Sequence, residues 1–108
     1  MTLKNYLAYS FLVVSFLSSA SLFAESFEVS QKDKKFSVKS IEIKAGDSIK
    51  FINEDEFFHN VFSLSDTKFF DLGSFPKGEF REVKFESPGV VEVECAIHPD
   101  MFMKVHVK

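Results

Sequence analysis

An all-β sandwich or barrel is the fold this chain predicts, on three observations. Short segments alternate apolar and polar residues at period two, glycine and proline punctuate them at intervals of roughly 8–12 residues, and no window longer than about ten residues carries helical periodicity with caps. One small domain is all the length allows.

The N-terminal segment stands apart from that pattern. Met1 to Asn5 carry one positive charge, Lys4, and no acid. Tyr6 to Leu17 are apolar except for Ser10 and Ser15, small residues follow (Ser18, Ser19, Ala20, Ser21), and the first acid is Glu25. These three zones match a secretory signal peptide over residues 1–24, leaving a domain over residues 25–108. Cleavage after Ala24 fits, and Ser18-Ser19-Ala20 offers a second site with small residues at the right offsets. Retention as an anchor is the rival: Tyr6 to Phe23 is 18 residues, near the lower limit of about 17 for spanning a bilayer. With no cysteine after the apolar run, a lipid-modified terminus is not indicated. Export places the protein in the periplasm, without a membrane span once the leader is removed.

The strands follow in order. Phe36 and Val38, then Ile41 and Ile43, alternate with polar residues, with a break near Lys39-Ser40. Ala45-Gly46-Asp47 reads as a tight turn. Ser48 to Asn53 resumes as a strand with Ile49 and Phe51 on one face. Glu54-Asp55-Glu56 forms an acidic loop, and His59 to Leu64 is the next strand. Phe69 to Phe80 contains Gly73, Pro76 and Gly78 and reads as turn-rich. Glu82 to Glu86 alternates cleanly, Ser87-Pro88-Gly89 turns, Val90 to Cys95 is a β-branched strand, and Lys104 to Lys108 alternates to the end. The core is expected to lean on phenylalanine, since twelve of the fifteen lie after Ala24.

Composition narrows the function. Removing 24 residues from 108 leaves 84, and because the leader holds one lysine and no acid, the formal charge of −3 becomes −4. A mildly acidic surface argues against nucleic acid or an anionic membrane as partner. Cys95 is the chain's one cysteine; in an oxidising compartment it has no internal disulfide partner and calls for a role as ligand or reactive thiol.

The informative segment is Cys95-Ala96-Ile97-His98-Pro99-Asp100-Met101-Phe102-Met103, which gathers the cysteine, one of three histidines and both methionines downstream of Met1. Thiolate, imidazole and thioether make a soft ligand set, and a His2Cys plane with a weak axial methionine describes a blue-copper electron-transfer site. Cys95 ends a strand, His98 sits in the tight loop that follows, and Met101 closes that loop where the next strand begins. A second imidazole must come from elsewhere. His59 stands at the start of a strand among Phe57, Phe58 and Val61. His106 lies between Val105 and Val107, which alternation turns inward, so His106 faces solvent.

These residues resemble a small bacterial cupredoxin, a type 1 blue-copper protein of the plastocyanin, pseudoazurin and amicyanin group, over nearly all of residues 26–108. The resemblance is carried by Gly46-Asp47 before a strand ending in Asn53, by His59-Asn60-Val61, by Pro88-Gly89 before the cysteine strand, and by Cys95-x-x-His98-Pro99-x-Met101. It implies a Greek-key β-sandwich with one copper ion (Cu+/Cu2+) per chain at one end, held by His59, Cys95, His98 and an axial methionine. The short loop is similar to the amicyanin pattern, which assigns the axial position to Met101; a pseudoazurin-like pattern would assign it to Met103. Asn60 matches a residue whose hydrogen bonds tie the His59 strand to the cysteine loop and stiffen the site.

The implied function is electron transfer between periplasmic redox partners, such as c-type cytochromes or a periplasmic dehydrogenase or reductase, by a monomer that is not itself an enzyme. His98 offers an exit near the surface, and Phe57, Phe58, Pro99, Phe102 and Phe75 are candidates for an apolar docking patch around it. The acidic loop is either a steering patch for a basic partner or simply solvated. Among rivals, a nucleophilic cysteine needs a base and a cleft, for which 84 residues in strands leave little room, and it gives the methionines no role. A zinc site draws on more thiolates or carboxylates, and a multicopper enzyme needs further histidines. A copper-binding protein for storage, delivery or sensing uses the same ligands and remains the alternative.

Overall fold

The structure, a computed structural model, describes residues 23–108. The first 22 residues of the expected leader lie outside the described region. Nine strands run in the order β1 (Ser26–Lys32), β2 (Lys35–Phe36), β3 (Ser40–Ile43), β4 (Ser48–Asn53), β5 (His59–Ser65), β6 (Lys68–Phe75), β7 (Phe80–Lys84), β8 (Gly89–Cys95) and β9 (Phe102–Val107). They form two sheets, β2-β1-β4-β7 and β3-β9-β8-β5-β6, with β1/β4 and β3/β9 parallel and the other pairs antiparallel. This is the all-β sandwich that the period-two pattern predicts. Among the described residues no helix is long and apolar enough to cross a membrane.

Alternation places the core between the sheets. Ile49, Phe51 and Asn53 of β4 are buried, as are Val91, Val93 and Cys95 of β8 and Met103, Val105 and Val107 of β9. Phe51 stands at the centre, its ring 6.4 Å from Phe36 and 6.1 Å from Phe70, and Phe70 meets Phe85 edge-on at 6.2 Å. The expectation that phenylalanine mostly fills the core needs correction. Only Phe36, Phe51, Phe70, Phe75 and Phe85 are buried, whereas Phe57, Phe58, Phe69, Phe80 and Phe102 are exposed.

The stretch expected to be turn-rich from Phe69 to Phe80 is strand over more than half its length, since β6 runs through Phe75. Its apolar residues do not alternate because the pairing with β5 shifts by one residue between Asn60 and Phe62. Gly73 takes up the irregularity at φ +67°, with its N–H donating to the Asp71 carboxylate at 2.9 Å. A one-residue shift exchanges the faces of a strand, so Phe70 and Phe75, an odd number of residues apart, both point into the core.

Two positions constrain the turns between strands. In the turn after β3, the buried Asp47 carboxylate accepts N–H donors from Glu25 at 2.9 Å and Lys44 at 2.8 Å. Those two bonds, Glu25 foremost, hold its pKa below the usual carboxylate value. At the first position of β8, Gly89 adopts φ +138°, and a Cβ there would lie 2.8 Å from Thr67 Oγ1 and 3.0 Å from its Cγ2. Gly89→Ala therefore combines backbone strain with a contact against a stiff β-branched side chain. We expect a loss of about 1–3 kcal/mol, read from thermal unfolding of the metal-free protein.

Candidate metal centre

The ends of β4 and β8 and the starts of β5 and β9 meet at one pole of the sandwich. Asn53, the last residue of β4, organises the loop that follows. Its fully buried amide donates to the carbonyls of Phe57 and Phe75, both at 2.9 Å, and its Oδ1 accepts the Asp55 N–H at 2.9 Å. Every hydrogen-bonding group of the side chain is thus engaged in an Asx turn and two cross-links, and the chain is turned so that His59 enters β5 facing inward.

Cys95 pairs with Val61 on β5, two residues from His59, so both side chains point into the same end of the core. His98 comes back over them on the loop after β8, closed by the Met101 N–H donating to the His98 carbonyl at 2.9 Å. The result is a compact triangle: Cys95 Sγ lies 3.7 Å from His59 Nδ1 and 3.9 Å from His98 Nδ1, and the two Nδ1 atoms are 3.3 Å apart. Two imidazoles and a thiolate are the donor set of a blue-copper plane. An ion at the centre of a trigonal plane, with bonds of about 2.0–2.1 Å to nitrogen and about 2.3 Å to sulfur, holds its ligand atoms roughly 3.5–3.8 Å apart. The triangle's edges of 3.3, 3.7 and 3.9 Å match those separations to within a few tenths of an ångström. His59 is fully buried, Cys95 is 3% exposed and His98 is half-buried.

Both candidate axial methionines are buried. Val93 pairs with Met103 and Glu94 with Phe102; one step further along this ladder Met101 falls opposite Cys95. Met103 lies two residues deeper, about 6.6 Å along the strand.

The surroundings are mostly aromatic. The Phe57 ring sits 5.2 Å from both imidazole rings, which are 5.0 Å from each other. Burial, followed by the charges of His59 and Lys34, pushes the His98 pKa below its usual value. Phe57, Phe58, Ile97 and Phe102 are exposed on the two loops and the strand start that flank His98. Phe75 is completely buried and leaves the set of patch candidates, while Ile97, which strand alternation cannot place because it sits in a loop, joins it. His106 is half-buried between inward-facing Val105 and Val107, remote from the triangle in the β9 ladder.

Two expectations are corrected here. Asn60 ties β5 to the cysteine loop through its main chain, its carbonyl accepting the Ala96 N–H at 3.1 Å; its side-chain Oδ1 has no hydrogen-bond partner among the described residues. The acidic loop is not a free patch. Glu56 pairs with Lys77, and Asp55 is buried with its Oδ2 2.6 Å from His59 Nε2. Burial alone would raise the Asp55 carboxyl, but hydrogen bonds with His59, Asp33 and Lys34 outweigh it and hold the group below the usual carboxylate range. Nothing in the residue order marks Asp55 for this role, since the loop geometry that brings it under His59 is set by Asn53.

Comparison with known proteins agrees with this geometry. The family model for copper-binding proteins of the plastocyanin/azurin family matches residues 24–108. Among solved structures, an amicyanin variant in its Cu(I) form superposes with a TM-score of 0.70 at 23% identity, covering 77% of this chain and 82% of that one. A purple cupredoxin from Nitrosopumilus maritimus gives 0.66 at 24% identity, covering 75% and 98%. A copper-containing nitrite reductase from Thermus scotoductus SA-01 gives 0.72 at 26% identity over 77% of this chain, but this chain spans only 22% of that protein's length. No curated protein sequence matches the chain.

Proposed function

Because the chain belongs to the plastocyanin/azurin family of copper-binding proteins, we propose that it is a type 1 copper electron-transfer protein. Its four ligands are His59, Cys95, His98 and an axial Met101. Residues 1–24 act as the export signal, and the folded domain works in the periplasm as a monomer. It passes single electrons between partners such as c-type cytochromes or a dehydrogenase or reductase, without catalysis of its own. Copper supplies the one-electron chemistry when bound.

The observation that carries this reading is the closed triangle of His59 Nδ1, Cys95 Sγ and His98 Nδ1, all within 4.8 Å of one another. The chain's part is to keep those donors still. His59 is locked inside the sandwich, Cys95 is fixed at the last rung of β8, and the short loop from His98 to Met101 is pinned by its own main-chain bond. A cage of this kind limits ligand movement when the charge at its centre changes by one unit. The half-buried His98, flanked by Phe57, Phe58, Ile97 and Phe102, supports this edge as the place where a partner docks.

The test is the absorption and electron paramagnetic resonance spectrum of the copper-loaded protein, followed by mixing with a reduced cytochrome. Fast reversible oxidation and reduction with copper retained supports electron transfer. Copper passing to an acceptor chaperone, with slow redox exchange, would instead support delivery or storage. The axial assignment has its own test. Met101 opposite Cys95 predicts that Met101→Leu shifts the reduction potential more than Met103→Leu, measured by voltammetry; the reverse order moves the axial role to Met103.

A further inference from the structure

The turn joining β1 to β2 is built unusually. Asp33 and Lys34 have φ of +54° and +59°, the left-handed region that a two-residue hairpin turn needs and that Asn-Gly normally supplies. A non-glycine residue there costs of order 1 kcal/mol. Both strained residues aim their N–H groups at one acceptor: Asp33 donates to Asp55 Oδ1 at 2.6 Å and Lys34 to Asp55 Oδ2 at 3.2 Å. The same Oδ2 is 2.6 Å from His59 Nε2. Asp55 is only 6% exposed, and its side chain has no other partner among the described residues. A distant hairpin thus holds one buried carboxylate against the far side of a single imidazole.

We infer that Asp55 is a positioning residue for the copper centre: it fixes His59 with the proton on Nε2 and the free Nδ1 toward Cys95, and its negative charge favours Cu(II) over Cu(I). The inference rests on the reading of His59 as a copper ligand. An ionised carboxylate only accepts hydrogen bonds, so Nε2 must donate, and in the neutral imidazole that metal binding requires Nδ1 is then bare. Carboxylate–histidine pairs of this kind orient metal ligands and raise their basicity. The buried location keeps the carboxylate's field strong, because screening by water is weak there.

Asp55→Asn keeps the size and removes the charge. Removal of such a partner weakens metal binding by about tenfold or more, and here the loss falls on Cu(II) more than on Cu(I). A tenfold rise in the ratio of Cu(I) to Cu(II) affinity raises a one-electron potential by about 59 mV. The copper-loaded variant is expected to keep its blue band and show a higher potential by voltammetry. An unchanged or lower potential with the band intact would overturn the role of Asp55 while leaving the copper reading standing. Absence of the band from the unsubstituted protein would overturn the copper reading itself. Should the variant not fold, nitrogen-15 NMR of the metal-free, unsubstituted protein still decides. The Nε2–H tautomer of His59 is expected, and the Nδ1–H tautomer would refute the inference.

Discussion

Cys95→Ser yields a colourless protein. The intense visible absorption of a blue-copper centre is charge transfer from the thiolate, and Cys95 is the chain's one cysteine, its sulfur 3.7 and 3.9 Å from the two imidazoles. A serine hydroxyl in the same place is a harder and much less basic donor that does not suit this soft set. The band should vanish outright, not weaken. The fold should persist, because the new hydroxyl lies beside two imidazole nitrogens that can hydrogen-bond it and so offset its burial. The measurement is a visible spectrum of the copper-treated variant with far-ultraviolet circular dichroism as control. A surviving blue band in a folded variant would remove Cys95 from the centre.

Phe51→Ala carries the largest expected effect on stability. The side chain is fully buried, sits in the middle of β4 between β1 and β7, and its ring contacts Phe36 and Phe70 from both sheets. Truncation removes apolar burial and leaves a cavity that neighbouring strands cannot close, at a cost of about 3–5 kcal/mol. A domain of this size has about 5–15 kcal/mol in all, and each kilocalorie shifts its melting temperature by about 4–8 °C. A drop of at least about 12 °C is expected in metal-free protein. Phe69→Ala, at a position 69% exposed on the outer face of β6, should stay within about 0.5 kcal/mol. Equal effects at the two positions would contradict the placement of the core.

Much of the centre was legible in the residues because its ligand types are scarce. One cysteine, and two methionines and a histidine beside it, leave few ways to assemble a soft site, and His106 excludes itself by alternating with two inward valines. Strands β4, β8 and β9 are equally plain, since one face of each is mainly apolar and the other mainly polar. The failures share a physical cause. The shift that Gly73 absorbs breaks the two-residue period of β6, so periodicity cannot see that strand. In the sequence Asp55 forms one acidic run with Glu54 and Glu56, although an Asx turn from Asn53 separates it from its neighbours by burying it. Composition cannot tell Phe51 from Phe69; only the register of the strands that carry them does.

The hydrogen bond from Glu25 to Asp47 acquires a different character once the proposed leader is cut after Ala24. The peptide nitrogen that lies 2.9 Å from the carboxylate then becomes a terminal ammonium, and a neutral donor is replaced by a full positive charge. Maturation would in that way weld the first strand to the turn after β3, turning a protease's product into a structural clasp. Cutting after Ala20 instead leaves an ordinary amide at that place, so the two products of export would differ in how firmly the opening strand is held.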